Sequence, residues 1–388
     1  MREGYEQNTD NKKKTDSIRF LCFLAAVLLL LSGCSLWIHL TPAQTYSAVE
    51  RRMLEKRPAL AKKSVQSGKF QRKYESFLSE QFPGRTQLVA LQTKLRRLLG
   101  ERDANGVYFG KDDYLLEQHQ EQEFDWKQVK NNVRQVAAFL KDYPNAKVMF
   151  VPSKSSVLSS KLPMFAQAGA DSRFFALAAK QIPQERQILV SDVLKAHDTE
   201  YIYYRTDHHW TTLGAYYAYQ EWARSMGLAA VAQQQFEVTP VCTSFFGTTY
   251  AKVRTGGRAD TIHLYERKDA PEYTFEYNRG ETELDSFYDL SKLEGDDPYS
   301  VFFGGNQALA DIRAEGGEDG KTLLVIKDSF GNCFAPFAAN HYARVIVADL
   351  RYVNLPVSKL LRVYPADDIL ILYNSVQFME DRDISKLK

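Results

Sequence analysis

The chain has 388 residues, of which 44% are hydrophobic and 25% are charged, and these proportions are typical of a globular protein rather than a disordered one. Its 50 basic and 48 acidic side chains give a formal net charge of +2. This argues against a nucleic-acid partner, because such proteins usually collect a surplus of basic residues on one face. The four cysteines include no Cys-x-x-Cys pair, so neither a zinc knuckle nor a thioredoxin-like site is indicated.

The N-terminus predicts a membrane anchor. Residues 20–40 lack Lys, Arg, Asp and Glu and are long enough to cross a bilayer as a helix of about 20 residues. The basic residues before this run predict that residues 1–19 are a cytoplasmic tail and that the rest of the chain lies outside the cell. An alternative is a lipoprotein, because Leu31-Ser32-Gly33-Cys34 resembles a bacterial lipobox. Both readings tether the chain to the outer side of a bacterial cell membrane.

The next segments are predicted to be a stalk, two helices and a hairpin. Residues 41–69 are polar and charged and are interpreted as the stalk. Apolar residues at helical spacing follow and are interrupted at Pro83-Gly84. This pattern predicts two helices, the second of which ends at Gly100. Asn105-Gly106 within a β-rich run predicts a hairpin.

From residue 126 onwards, helical and strand patterns alternate. Apolar strand patterns such as "AKVMFV", "TLLVIK", "RVIVA" and "DILILY" are separated by amphipathic helical patterns. This alternation predicts an α/β fold with a mostly parallel sheet flanked by helices. Residues 70–388 are interpreted as one domain, with an irregular insertion at about 228–300.

A predicted strand ends in "KDSFGN", which places Ser329 at the carboxyl end of that strand, a common position for functional residues in such folds. Ligands of open parallel sheets bind at the carboxyl ends of the strands. A serine at a strand end can project its hydroxyl into a cleft, and a helix that starts there offers backbone N–H groups to an oxyanion. Ser329 could equally be a helix N-cap.

The segment "RTDHHWT" offers a base and a group to orient it. In extended backbone, residues two apart share a face, so Asp207 and His209 are predicted to point together and His208 to point away. A serine nucleophile needs such a pair, which assigns His209 as the base and Asp207 as its orienting partner. The rival interpretation is a metal-dependent phosphoesterase, since Asp and His are also metal ligands.

Several motifs in order make the chain resemble the bacterial DHHW protein family. They are "FPGRTQLV" at 82–89, "NGVYFGKDDYLLE" at 105–117, "YYRTDHHWTTLGAYYAY" at 203–219, "FFGGN" at 302–306, "LLVIKDSFGNCFAPF" at 323–337 and "VADLRY" at 347–352. That family is similar to the SGNH-hydrolase-like domains of alginate O-acetylation proteins, in which an Asp-x-His pair precedes a distant serine in a GDSF-type turn. The resemblance implies that Asp207, His209 and Ser329 form a catalytic triad. Lys327 stands where that turn has glycine.

Further residues are candidates for oxyanion or substrate contacts. In SGNH-like sites a glycine and an asparagine assist the serine N–H, and Gly305 and Asn306 match them here. His208 adjoins the base. Lys154, Arg351 and Tyr352 follow predicted strands and are candidates for binding substrate anions, with a structural role as the alternative.

Together these features favour an enzyme, a serine-dependent O-acetyltransferase or carbohydrate esterase. It would need no cofactor and would act with an acyl donor on a cell-envelope polysaccharide. The alternative is a non-catalytic envelope protein that binds glycan or serves as a scaffold. Neither the polymer nor the oligomeric state follows from the sequence.

Overall fold

The computed structural model describes residues 2–47, 52–167, 169–316 and 320–388, and the chain divides into two compact units, residues 1–92 and 93–388. The helices of the first unit are α1 (Arg2–Leu40), α2 (Lys62–Gln66), α3 (Lys69–Glu80) and α4 (Arg85–Leu98), the last of which continues past residue 92. Two short strands, β1 (Tyr46–Ser47) and β2 (Arg52–Met53), pair in an antiparallel manner.

The N-terminal helix contains the predicted anchor. Within α1, Thr15–Leu40 is long and apolar enough to cross a membrane, with a mean hydropathy of 2.4. A helix of this kind serves either as an anchor or as a signal sequence. The break between α3 and α4 falls at Pro83-Gly84 as predicted, and Gly84 has a positive φ of 72°. The boundaries of the tail, anchor and stalk remain predictions.

The second unit is built on a seven-stranded sheet in the order β10-β11-β13-β12-β14-β6-β7. Strands β13, β12, β14, β6 and β7 pair in parallel, whereas β11 pairs antiparallel with both β13 and β10. The predicted mostly parallel sheet is therefore confirmed. The seven strands are β6 (Ala146–Val151), β7 (Gln187–Ile188), β10 (Tyr273–Tyr277), β11 (Leu309–Ala314), β12 (Thr322–Lys327), β13 (Arg344–Ala348) and β14 (Asp368–Asn374).

Two smaller sheets accompany the large one. Strands β3 (Asp103–Ala104), β4 (Val107–Phe109) and β5 (Leu115–Glu117) form the predicted hairpin region, and β8 (Phe236–Phe245) pairs with β9 (Asp260–Arg267). The helices are α5 (Trp126–Asp142), α6 (Lys154–Val157), α7 (Asp171–Gln181), α8 (Ser191–Ala196), α9 (Thr212–Ser225), α10 (Thr248–Val253), α11 (Phe330–Ala338), α12 (Val357–Val363) and α13 (Ser375–Glu380).

The central strands are apolar throughout because both of their faces are buried. In β12, Leu323 and Val325 belong to the core that includes α9 and α11, while Leu324 and Ile326 belong to the core that includes α5 and α7. Alternate residues of a strand point to opposite faces, so each strand supplies side chains to both layers. This arrangement places the turn after β12 at the carboxyl edge of the sheet, between two covered faces.

The predicted insertion at 228–300 is ordered rather than irregular over much of its length. It contributes β8, α10 and β9, and its strand β10 extends the edge of the large sheet. A Cys242–Cys333 disulfide, which the sequence permits, is not formed, since all four cysteines are free and Cys333 is buried.

Candidate functional site

Ser329 lies in the turn between β12 and α11, and Asp328 shapes that turn. One carboxylate oxygen of Asp328 accepts the backbone N–H of Phe330 at 2.9 Å, and the other accepts that of Asn374 at 2.8 Å. Ser329 occupies the N-cap position of α11, but its side chain makes no capping hydrogen bond. The Ser329 hydroxyl is thus available for another partner, which argues against the N-cap interpretation.

That partner is His209. The Ser329 Oγ lies 2.7 Å from His209 Nε2, and His209 Nδ1 lies 2.5 Å from Asp207 Oδ1. Asp207 is 1% exposed and Ser329 is 8% exposed, so the chain of hydrogen bonds is largely shielded from water. The structure therefore brings together all three residues that the sequence singled out, with the geometry required for a nucleophile, a base and an orienting carboxylate.

The reason given for the pairing of Asp207 and His209 was wrong. Residues 205–209 form bends rather than an extended strand, closed by a bridge between Tyr203 and Trp210. Asp207 Oδ1 also accepts the backbone N–H of His209 at 3.0 Å, which folds the aspartate back onto the histidine. His208 does not point away as predicted: its ring centroid lies 3.9 Å from that of His209.

Thr248 holds the second oxygen of Asp207. Its backbone N–H and its hydroxyl donate to Asp207 Oδ2 at 2.7 and 2.9 Å, and its hydroxyl also lies 2.6 Å from His208 Nδ1. The close approach requires glycine at position 247, because a side chain there would overlap that of Asp207. Thr248 is a site residue that the sequence analysis missed.

These contacts keep Asp207 ionised. Burial alone would raise the pKa of its carboxyl, but the adjacent imidazoles of His208 and His209 and the hydrogen bonds from His209 hold that pKa well below its ordinary value of 3.8. Burial, and then the neighbouring His209, lower the pKa of His208 to about 4. His208 is consequently neutral at physiological pH.

Tyr299 packs against one face of the His209 ring. Its ring stacks on that of His209, with centroids 3.8 Å apart and an interplanar angle of 10°, and its hydroxyl donates to the Ser329 carbonyl at 3.1 Å. Tyr299 therefore contacts both the base and the nucleophile segment. It was not predicted either, since it comes from the segment assigned as an insertion.

One backbone donor beside the serine is left for an oxyanion. The N–H groups of Gly331 and Asn332 donate to the carbonyls of Asp328 and Ser329, and that of Phe330 donates to the Asp328 side chain. Among the described residues, no acceptor receives the N–H of Ser329. Asn332 Nδ2 reaches the Gly305 carbonyl at 3.4 Å and Asn306 Oδ1 at 3.3 Å, which ties the predicted Gly305-Asn306 turn to the first turn of α11.

Of the three candidates for binding substrate anions, two form hydrogen bonds with other groups and one is exposed. Lys154 Nζ donates to the carbonyls of Tyr204, Arg205 and Asp207, so it braces the bend that carries the base. Arg351 donates twice to Asp349, at 2.9 and 2.6 Å. The side chain of Tyr352 is 50% exposed. None of the hydrogen bonds described for these side chains reaches Ser329 or His209.

The metal interpretation fits the geometry less well. Asp207, His208 and His209 offer ligand atoms within 4.8 Å of one another, the one such group in the part of the chain that the structure describes. Both ring nitrogens of His209 and the Nδ1 of His208 already take part in hydrogen bonds. A metal ion would have to replace these bonds, whereas proton transfer uses them.

Comparison with known proteins agrees with this description. The family model described as "DHHW protein" matches residues 176–348, so the predicted resemblance to that family is confirmed. A solved DHHW family protein from Eubacterium siraeum is 23% identical over 73% of this chain and 95% of its own, with a TM-score of 0.61. PatB1 from Bacillus cereus with a sulfonyl adduct is 20% identical over 72% of this chain and 99% of its own, with a TM-score of 0.59.

The O-acetyltransferase domain of Pseudomonas putida AlgJ is more distant, at 14% identity over 73% of this chain and 95% of its own, with a TM-score of 0.43. No curated protein matches the chain significantly. The first two structures share the fold of this chain over nearly three quarters of its length, in agreement with the predicted α/β fold with a mostly parallel sheet flanked by helices.

Proposed function

We propose that the chain is a serine-dependent acyltransferase or esterase whose nucleophile is Ser329. The observation that carries this proposal is the unbroken line of hydrogen bonds from Ser329 Oγ through His209 to Asp207. In the first half-reaction, Oγ attacks an acyl carbonyl carbon while His209 Nε2 takes the hydroxyl proton. The bond between that carbon and the donor's leaving group then breaks, His209 gives the proton to the leaving group, and the acyl group stays on Ser329. Asp207 accepts from Nδ1–H and stabilises the imidazolium that forms. The Ser329 N–H donates to the developing oxyanion.

In the second half-reaction, the acyl group leaves Ser329 for an acceptor hydroxyl. His209 takes the proton of that hydroxyl, and then returns a proton to Ser329 Oγ as the acyl–serine bond breaks. A sugar hydroxyl as acceptor gives a transferase and water gives an esterase. The resemblance to the DHHW family and to alginate O-acetylation domains supports an acetyl group and a cell-envelope polysaccharide.

The proposed location is supported by the N-terminal helix. We propose that residues 20–40 are an uncleaved anchor and that the second unit lies outside the cell, as the basic residues before the helix indicate. Attachment through a lipid on Cys34 is the alternative. Metabolic labelling with a lipid precursor distinguishes the two. If the wild-type protein is labelled and Cys34→Ala is not, the protein is a lipoprotein attached through Cys34.

The test of the proposed activity is covalent capture of the serine. The B. cereus relative carries a sulfonyl adduct, and sulfonyl fluorides react with activated nucleophiles, so an arylsulfonyl fluoride is a suitable probe. Full-length protein in detergent should gain one sulfonyl group on the peptide that contains Ser329. It should also release a burst of nitrophenol from 4-nitrophenyl acetate.

Both signals should vanish in Ser329→Ala and in His209→Ala. Ser160→Ala is the matched control, because that hydroxyl is exposed and bonds only to Asp198. Folded wild-type protein that takes up no label and gives no burst would favour the non-catalytic glycan-binding or scaffold protein instead.

A further inference from the structure

A small polar cavity adjoins the triad on the side of His208. Its volume is about 280 Å³, and its walls come from the carboxyl ends of β5 and β14, from the turn and helix α6 that follow β6, and from α10 and α13. His208 and Thr248 connect the cavity with the triad region, since the ring of His208 packs on that of His209 and Thr248 donates to Asp207. The cavity is therefore separated from the base by a single imidazole.

The hydrogen bonds around Thr248 determine what His208 presents to this cavity. A carboxylate only accepts, so the Thr248 hydroxyl proton must point to Asp207 Oδ2. The same hydroxyl oxygen then accepts from His208 Nδ1–H. Neutral His208 carries its one proton on Nδ1 and keeps a lone pair on Nε2. Among the described residues nothing donates to that nitrogen, so it is an acceptor for a ligand hydroxyl.

The charges in the cavity exclude one class of ligand. Its two lysines are committed: Lys252 Nζ donates to Glu117 at 2.6 Å, and Lys154 Nζ donates to three backbone carbonyls. Burial lowers the pKa of His119, which keeps this imidazole neutral as well. Glu123 and Glu380 add further carboxylates to the wall. The wall thus carries three carboxylates, those of Glu117, Glu123 and Glu380, against two ammonium groups that already have acceptors, so an anionic ligand would meet net negative charge.

We infer that this cavity is the site of the acyl acceptor and that it takes a neutral, hydroxyl-rich sugar ring in preference to a uronate. His208 Nε2 accepts a hydrogen bond from one hydroxyl of that ring, and so positions a neighbouring hydroxyl towards His209 and the acyl group on Ser329. The inference rests on the proposed function for the transfer step, but the binding preference stands by itself.

The test separates binding from chemistry. Binding of an N-acetylglucosamine trimer and of a galacturonate trimer to the full-length protein is measured by calorimetry. In parallel, protein acylated by 4-nitrophenyl acetate is mixed with each trimer, and the partition of acetyl between sugar and water is read by mass spectrometry. The neutral trimer should bind and be acetylated at least tenfold better than the anionic one.

Two substitutions test separately the acceptor on His208 and the charge of the cavity. His208→Asn keeps an N–H for Thr248 but removes the acceptor at the Nε2 position, so binding of the neutral trimer should fall about tenfold. The share of acetyl that passes to the trimer rather than to water should fall by about the same factor, and this ratio does not depend on the size or rate of the nitrophenol burst. Glu117→Gln releases Lys252 from its partner, and should shift the preference towards the galacturonate trimer by about tenfold. Glu121→Gln, in which the altered glutamate pairs with Arg173 and does not line the cavity, should change neither ratio.

The outcomes are distinguishable. If the wild type gives no burst but binds the neutral trimer in a His208-dependent way, the proposed function fails and the cavity remains a binding site for neutral sugars. If the burst is normal and the galacturonate trimer binds as well as the neutral one, the cavity assignment is wrong. An unchanged partition of acetyl between sugar and water in His208→Asn would also overturn it.

Discussion

Two buried aspartates lie in the two segments that meet at Ser329, and their environments differ. Asp207 in the bend at 205–209 and Asp328 in the turn after β12 are each 1% exposed. Asp207 is surrounded by two imidazoles and Thr248, and its pKa is held well below 3.8. Asp328 accepts two backbone N–H groups, and its burial raises the pKa to about 6, with Arg351 and the two hydrogen bonds opposing the rise.

The difference shows that burial alone does not assign a role to a carboxylate. Asp207 lies beside His209, which gains a positive charge in the proposed mechanism, so the ionised carboxylate can orient and stabilise this imidazole. Asp328 has backbone amides as its nearest partners, so it serves the shape of the turn. The same exchange, aspartate to asparagine, should therefore affect catalysis in one segment and folding in the other.

The largest expected effect is that of Asp207→Asn. Asparagine fills the same space but cannot stabilise the imidazolium and favours the wrong tautomer of His209, so turnover should fall by about 10⁴-fold. Turnover of 4-nitrophenyl acetate measures this, with the near-UV circular dichroism spectrum as the control for folding. A folded variant that retains a tenth of the activity would remove Asp207 from the triad.

Thr248→Val should have the next largest effect. It removes the hydroxyl that donates to Asp207 and accepts from His208, an interaction with a charged group worth about 1.5–3 kcal/mol. Turnover should fall about ten- to a hundredfold. Thr212→Val is the matched control, since its buried hydroxyl donates to the His263 carbonyl outside the triad. Equal losses in both variants would indicate a general packing defect.

Asp328→Asn should change turnover only a few-fold but alter the pH dependence of stability. The folded-state pKa lies above the ordinary value of 3.8, so the folded protein binds this proton more tightly than the unfolded chain. The stabilisation is complete below about pH 4 and is lost as pH rises to about 6. Relative to the variant, the wild type should lose roughly 3 kcal/mol in free energy of unfolding over that range.

Urea denaturation of both proteins at several pH values measures this difference. A difference that stays constant from pH 4 to pH 6 would contradict the raised pKa. If Asp328→Asn instead abolishes sulfonyl labelling of Ser329 in folded protein, the roles assigned to the two aspartates are wrong.

The smallest expected effect is that of Tyr299→Phe. Phenylalanine retains the ring that stacks on His209 and loses only the hydrogen bond to the Ser329 carbonyl, so turnover should fall less than about tenfold. Tyr299→Ala, which also removes the stacked ring, should lower turnover further. Steady-state kinetics of the two variants separate the stacking contact from the hydrogen bond.

The sequence predicted the large sheet and singled out the three residues of the proposed triad because both have local signals. Apolar runs such as "TLLVIK" identify buried strands, and the end of a parallel strand is where a functional serine is expected. Asp207 and His209 were found by an argument from extended backbone that does not hold, since a bend and an Asp207–His209 hydrogen bond bring them together.

The residues that complete the site could not be predicted in this way. Thr248 and Tyr299 come from short elements of the segment at 228–300, and their sequence neighbourhoods resemble ordinary loops. Their contacts with Asp207, His209 and Ser329 depend on how that segment packs, which no local pattern encodes. Gly247 could not be recognised as a site residue from its sequence neighbours. Its lack of a side chain is needed because a Cβ there would overlap Asp207, which is distant in sequence.

Asp328 is held from β14 through the backbone N–H of Asn374, and this contact has a consequence for the order of events during synthesis. The serine follows His209 by 120 positions, and its strand pairs with β13 and β14, both of which are made later. A growing chain thus acquires its base long before its nucleophile, and the nucleophile before the strand that fixes its turn. Under the proposed mechanism, Ser329 becomes reactive only after β14 has been made, so a growing chain that has not yet reached β14 carries a serine without an activated hydroxyl.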